Sequence, residues 1–324
     1  MSKRRINKQQ SARIQKIQAN YRKKNDSDEF IATEDGLVLT RFSRHANIED
    51  SKGNRIHCSI RPNIDSLVAG DRVIWQAESG RNGIVLSRYP RESMLGRPDK
   101  RGEFRPIAAN ITQVIVVVAA KPELSWSLLD SYLVMIERLG GLEVCIVLNK
   151  MDLESKHIQQ ELLTCYKPLG YRVLFTSKDN HQGYDLLKQA LNHQVSVFVG
   201  QSGVGKSSLI AGLLPHENNI QTAEISVNSE LGCHTTSNSR YYHIPSGGAL
   251  IDSPGVREIG LWHMPISEIT QGFREFRPLI PQCKFRNCNH LDCPECAIIK
   301  ALTKGNLTQK RYDSYLKIIT QFGK

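Results

Sequence analysis

The hydrophobic positions of the 324-residue chain keep three rhythms in turn. From about Phe30 to Tyr89 they form short β-like runs broken by Gly, Asn and Asp: Gly36-Leu37-Val38-Leu39-Thr40, Arg55-Ile56-His57-Cys58-Ser59-Ile60, Asp71-Arg72-Val73-Ile74-Trp75 and Asn82-Gly83-Ile84-Val85-Leu86. Four or five short strands in about sixty residues predict a small barrel.

After Pro106 the rhythm changes. Continuous apolar runs at Gln113–Ala119, Leu142–Leu148, Tyr171–Phe175 and Val195–Val199 read as buried strands. Between and after them, helical spacing covers Trp126–Leu139, Lys156–Lys167, Tyr184–Leu191 and Lys206–Leu214. This alternation predicts an α/β unit, a parallel sheet covered by helices on both faces. Tyr241–Ile251 reads as a hairpin returning to the sheet. Past about Pro265 the alternation stops, a cysteine and histidine cluster follows, and amphipathic helices close the chain.

Composition narrows the class. An apolar fraction of 40% and a charged fraction of 23% belong to a soluble globular protein of about two domains, three if small. No apolar run approaches the roughly 18 residues of a membrane span, and none follows the basic N-terminus as a secretory signal requires. A cytoplasmic location is expected. The net charge is +11, and residues 1–24 alone carry nine basic side chains and no acid. Residues 297–324 add six Lys/Arg against one Asp. Two basic ends point to a polyanion, and the N-terminal segment lacks the apolar face of a surface helix, so nucleic acid is expected rather than a membrane.

The strongest chemical signal is Gly200-Gln201-Ser202-Gly203-Val204-Gly205-Lys206-Ser207, a phosphate loop directly after a strand and before a helix. Its glycines let backbone N–H groups wrap a β-phosphate at the positive end of the helix. Lys206 would reach the β- and γ-phosphates and Ser207 would ligate Mg2+, with Ser208 beside them. Asn149-Lys150-Met151-Asp152, after the second buried strand, is the Asn-Lys-x-Asp guanine motif. The Asp152 carboxylate can accept from both N1–H and the 2-amino group of guanine, while adenine would leave an acceptor unpaired, at about 1–3 kcal/mol for a buried group. Lys150 would lie across the base and Asn149 would brace the loop. Thr176-Ser177-Lys178 stands where a backbone amide, that of Ser177, would meet guanine O6. Asp252-Ser253-Pro254-Gly255 follows another strand and would put the Asp252 carboxylate on the Mg2+ water shell and the Gly255 N–H on the γ-phosphate. A threonine of the segment Gly232-Cys233-His234-Thr235-Thr236-Ser237 would close over Mg2+ and the γ-phosphate, with Thr236 favoured over Thr235.

The order of these elements is unusual, because the guanine motif precedes the phosphate loop. The set resembles the circularly permuted GTPases. Pro106-Ile107-Ala108-Ala109-Asn110 before the first core strand, Asp252–Glu258, Gly260-Leu261-Trp262 and the cysteine cluster narrow the resemblance to the RsgA (YjeQ) family of small-ribosomal-subunit biogenesis GTPases, over about residues 30–324. Charge sets off a basic tail at 1–28, and the resemblance implies an oligonucleotide-binding (OB) barrel at 29–98, a permuted GTPase domain at 99–264 and a zinc-binding domain at 265–324. It also implies GTP hydrolysis stimulated by the small ribosomal subunit and coupled to release, contact with its rRNA, and GTP and GDP as ligands. A monomer is expected.

Cys283, Cys288, His290 and Cys296 form Cys-x4-Cys-x-His-x5-Cys, enough soft ligands for a closed structural Zn2+ site. Cys293 is a fifth candidate, and the resemblance leaves it out. Many GTPases orient the attacking water with a Gln just after the Asp-x-x-Gly motif. That position is Val256 here, so His234 is the candidate for the task, and the resemblance points to the same residue. The competing readings are a GTP-binding, RNA-binding regulator with negligible turnover and a metabolic phosphate-loop enzyme. Asp152 argues against the second.

Overall fold

β1 (Thr33–Phe42), β2 (His45–Asp50), β3 (Arg55–Ile60), β4 (Arg72–Ala77) and β5 (Asn82–Arg88) close a five-stranded barrel. β1 pairs with β2, β2 with β3, β3 in parallel with β5, β5 with β4, and β4 back to β1. In the computed structural model the residues described are 33–64, 66–78, 82–98, 103–177, 181–215, 239–253 and 264–323; the basic tail expected at 1–28 lies outside them. Val38, Ala46, Ile48, Cys58, Val73, Trp75 and Val85 fill the barrel. β2 does not stand out in the sequence, because only Ala46 and Ile48 of its six residues are apolar core, too few to mark a strand in a polar run.

β6 (Met94–Pro98) and β7 (Phe104–Ala109) form a hairpin that crosses the boundary expected at 98/99. Its end is sewn to the barrel: the Ala109 amide donates to Ala69 O at 3.1 Å and Asn110 Nδ2 to Gly70 O at 2.8 Å.

The α/β core follows as β8 (Gln113–Ala119), α1 (Trp126–Leu139), β9 (Glu143–Asn149), α2 (Lys156–Glu161), β10 (Arg172–Phe175), α3 (His181–Leu191), β11 (Val195–Val199), α4 (Lys206–Leu213), β12 (Arg240–His243) and β13 (Ala249–Asp252). The sheet order is β10-β9-β8-β11-β13-β12, parallel except for β12. The unbroken apolar run of β8 serves both faces. Val114, Val116 and Val118 pack with α1, whereas Ile115 and Val117 pack on the opposite face with Leu187 of α3 and Leu209 of α4. Ser125 caps α1, its Oγ accepting from the Leu128 amide at 3.3 Å. The single helix expected over Lys156–Lys167 is divided: α2 stops at Glu161, a π turn covers Leu162–Tyr166 and a 3-10 turn Lys167–Leu169. The wide turn buries Leu162, Cys165 and Tyr166 together, and Pro168 has no N–H with which to continue an α-helix.

α5 (Ile266–Gly272), α6 (Ala297–Thr303) and α7 (Gln309–Phe322) build the C-terminal unit, which docks on α1. Phe273, Phe276 and Tyr315 make its aromatic centre. Arg311 is buried between Asp130 of α1, to which it is hydrogen-bonded, and Glu275, whose Oε1 accepts from Nε at 2.7 Å. The barrel precedes the guanine-motif strands in the chain, but it packs against the far edge of the sheet. β1 pairs with β12, so barrel and core share one 11-stranded sheet. No helix among the described residues is long and apolar enough to cross a membrane.

Candidate functional site

The chain runs from β8 outward through β9 to β10, then returns to place β11 on the other side of β8. The crevice at the carboxyl ends of β8 and β11 is therefore a topological switch point, where open α/β sheets bind ligands. The phosphate loop leaves β11 there. Gly200 has φ +140°, and a Cβ on it would stand 2.2 Å from Val117 O of β8. Gly205, at φ +93°, would place one 2.3 Å from Asn149 Nδ2. Side chains are excluded at both positions, so the loop backbone lies flat against its neighbours with the N-terminus of α4 beneath it. The Lys206 side chain is buried, and its ammonium donates to Gly200 O at 2.7 Å and Gln201 O at 2.6 Å, which holds the charge at the mouth of the loop. Ser207 and Ser208 are half-buried in the first turn of α4, and Ser202 is exposed at the tip.

The guanine motif leaves β9 beside this loop. Asn149 Nδ2 donates to Val204 O at 3.0 Å, and its Oδ1 accepts from Thr176 Oγ1 at 3.1 Å. Thr176 follows β10, is fully buried, and takes the Met151 amide on its carbonyl at 3.1 Å. One hydrogen-bonded chain thus joins the ends of β10 and β9 to the phosphate loop. The motif pattern puts the weight of this tripeptide on Ser177, which is buried next door; the signal for Thr176 is a hydroxyl one residue past a strand end, facing the motif Asn. Lys150 takes a left-handed φ of +61° and its ammonium donates to Gly203 O at 2.6 Å and Lys121 O at 3.1 Å, so its aliphatic stem spans the gap between the two loops. Asp152 is exposed in the turn that follows. Asp252 ends β13, one strand beyond the phosphate loop on the side away from Asn149. Thr235, Thr236, His234, Gly255, Val256 and Lys178 lie outside the described residues.

A separate cluster lies in the C-terminal unit. The ligand atoms of Cys283, Cys288, His290 and Cys296 all fall within 4.8 Å of one another. His290 Nδ1 stands 3.6 Å from both Cys283 Sγ and Cys296 Sγ. A tetrahedral ion with Zn–S of about 2.3 Å and Zn–N of about 2.0 Å would set sulfur and nitrogen about 3.5 Å apart, so the donor set fits zinc. Burial lowers the His290 pKa, which keeps the imidazole in the neutral form a metal needs. Burial also pushes the Cys288 thiol up to about 12, so metal binding there must expel a proton and should weaken as pH falls. Tyr312 Oη donates to His290 O at 2.8 Å and ties the cluster to α7.

Comparison with known proteins gives matches along most of the chain. A family model described as the RsgA GTPase matches residues 88–262. The chain is 46% identical to the small ribosomal subunit biogenesis GTPase RsgA of Proteus mirabilis, strain HI4320, over 98% of this chain and 96% of that protein. It is 43% identical to the protein of the same name from Hahella chejuensis, strain KCTC 2396, with the same coverage of each. Among solved structures, YjeQ from Thermotoga maritima superposes with a TM-score of 0.73 at 30% identity, covering 90% of this chain and 99% of that one. YloQ, described as a circularly permuted GTPase, gives a TM-score of 0.71 at 27% identity, covering 90% and 95%.

Proposed function

The chain belongs to the RsgA GTPase family, and on that premise we propose that it hydrolyses GTP on the small ribosomal subunit late in maturation, with the subunit stimulating turnover and hydrolysis coupled to release. The observation that carries the GTP site is the hydrogen-bonded chain from Thr176 through Asn149 to Val204, which couples a guanine-reading turn to a phosphate-binding loop at the sheet's switch point. In this reading Gly200–Gly205 wrap the phosphates with backbone N–H groups, Lys206 carries positive charge to the β- and γ-phosphates, and Asp152 with the Ser177 amide reads guanine. Ser207, Thr236 and Asp252 are the residues that would hold Mg2+, directly or through water. Bound there, Mg2+ neutralises charge on the β- and γ-phosphate oxygens. Gly255 offers its amide to the γ-phosphate, and His234 orients the attacking water.

Asp152→Asn tests the nucleotide assignment. A neutral amide cannot accept both guanine hydrogens, so GTP affinity should fall about 5–150-fold and the preference for GTP over ATP should relax. Competition binding that shows unchanged selectivity would remove Asp152 from the site.

Cys283, Cys288, His290 and Cys296 hold a structural zinc in this account. Cys288→Ser should lose the metal and loosen the C-terminal unit, while GTP binding stays near wild type. Metal analysis that still finds one equivalent of zinc would overturn the ligand assignment.

The tail at 1–28 and the OB barrel are proposed to grip rRNA in the GTP state together with the zinc-binding unit. Removing residues 1–24 should flatten the salt dependence of subunit binding. Each rRNA phosphate that the tail no longer neutralises should reduce the log–log slope by about 0.7–0.9. An unchanged slope would make the tail a solubilising segment only.

A further inference from the structure

The geometry points to Thr40, a barrel residue far from the phosphate loop in sequence, as a positioning residue for GTP hydrolysis that holds Asp252 through a register row across three strands. β12 has four residues and is spliced between the barrel and β13. On one edge Arg240 stands opposite Asp252, Tyr241 opposite Ile251, Tyr242 opposite Leu250 and His243 opposite Ala249. On the other edge Arg240 stands opposite Thr40 of β1, and Thr40 in turn stands opposite Asn47 of β2. Directly opposed residues share a face of a sheet, with Cβ atoms about 4.5–5.5 Å apart, so Asn47, Thr40, Arg240 and Asp252 form one transverse row ending at the carboxylate.

Three further observations show that the row is built rather than incidental. The register of β1 on β2 slips by one residue between Val38 and Thr40, a bulge that leaves Leu39 without an opposite partner and turns Thr40 to face Asn47. Bulges re-aim side chains in this way. Thr40 is 6% exposed, and its Oγ1 donates to Ser239 O at 3.2 Å, which pins the strand where the chain enters β12 from the switch segment. At the other end of β12, His243 Nε2 lies 2.8 Å and 3.1 Å from the two carboxylate oxygens of Glu49 on β2. The barrel therefore grips β12 at both ends, and β12 presents Arg240 to Asp252. Asp252 can shift along the strand direction only if this row slips. Binding of a partner to the barrel thereby reaches the γ-phosphate side of the site, whereas the guanine side, on β9 and β10, lies at the opposite end of the sheet.

The inference rests on the reading of Asp252 as the carboxylate that senses Mg2+ and the γ-phosphate. Its test uses the full chain with Thr40→Val, which keeps the shape and loses the donor, and Thr40→Ser, which keeps the hydroxyl. Affinities for GDP and for a non-hydrolysable GTP analogue are measured across a Mg2+ titration, beside single-turnover hydrolysis and thermal melting. Thr40→Val should raise the Mg2+ concentration at half-maximal hydrolysis about 3–10-fold and lower the preference for the GTP analogue over GDP by a similar factor, with GDP affinity unchanged and Thr40→Ser close to wild type. Asp252→Asn, run alongside, should lose the same preference more completely. Wild-type Mg2+ dependence in Thr40→Val beside a defective Asp252→Asn would overturn the row. Equal losses of GDP and GTP-analogue affinity would also overturn it, because they mark a general loosening of the fold. A wild-type Asp252→Asn would instead refute the assignment of Asp252, and the row would fall with it.

Discussion

Replacing Arg311 with leucine should cost about 3–5 kcal/mol and release the C-terminal unit from α1 before the rest of the chain unfolds. Arg311 is 2% exposed and serves two buried carboxylates, Asp130 on α1 and Glu275 in the segment after α5. Its guanidinium also lies 4.6 Å from the Phe273 ring centroid and 5.1 Å from that of Tyr166. Leucine fills part of the space but leaves both acids facing a low-dielectric interior without a countercharge, which is the costly way to break a buried pair. The Asp130→Leu and Arg311→Leu double variant should recover part of the loss, because one of the stranded charges has gone with its partner. Trp126 offers the readout, since Lys310 Nζ lies 4.3 Å from its ring centroid and reports α7 docking through fluorescence. A change below about 1 kcal/mol in denaturant unfolding would contradict the account. The effect matters for function because Leu124, Ser125 and Leu128, at the start of the same helix α1, share a small pocket with Gln201 and Val204 of the phosphate loop. A C-terminal unit docked on α1 is thus docked on the helix that adjoins the phosphate loop.

His234→Ala should leave GTP affinity near wild type and reduce subunit-stimulated hydrolysis about 10²–10³-fold, or roughly 3–4 kcal/mol of transition-state stabilisation. In the proposed site binding rests on groups elsewhere: the loop at Gly200–Gly205, the buried Lys206 ammonium and the Asp152 turn. Val256 stands where many GTPases carry the water-orienting Gln, and a valine side chain offers neither donor nor acceptor. If the subunit acts by bringing His234 to the water, its stimulation has nothing to act on in the variant, and the GTP-bound protein should persist on the subunit. Single-turnover assays at saturating subunits, with nucleotide affinity measured beside them, decide the point. Normal stimulated turnover would move the role to a group supplied by the ribosome.

Much of this arrangement is legible from the chain because its motifs are local. The phosphate loop, the guanine motif and the Cys-x4-Cys-x-His-x5-Cys spacing each lie within a short stretch, and a short, wholly β-branched run such as Val-Ile-Val-Val-Val favours a strand buried on both faces. The order of motifs carries the permutation. The features that the sequence conceals depend on distance along it. Arg311 and Asp130 are separated by 181 positions, and a lone basic residue in an amphipathic helix reads as surface. The Thr40 to Arg240 seam joins segments 200 positions apart through a bulge that no periodicity reveals. Polarity hides β2, because a barrel strand needs only two inward side chains. The π turn at Leu162–Tyr166 is hidden because helical spacing tolerates one extra residue without losing its apolar face.

The proposed function is that of a GTPase whose turnover is controlled by the small ribosomal subunit. Its most direct test is single-turnover GTP hydrolysis by the intact protein alone, with purified small subunits, with large subunits and with assembled ribosomes. The account predicts slow hydrolysis by the protein alone and a large acceleration confined to small subunits. Equal rates with and without small subunits would contradict it, and would leave a protein that binds GTP and RNA but does not couple one to the other through hydrolysis.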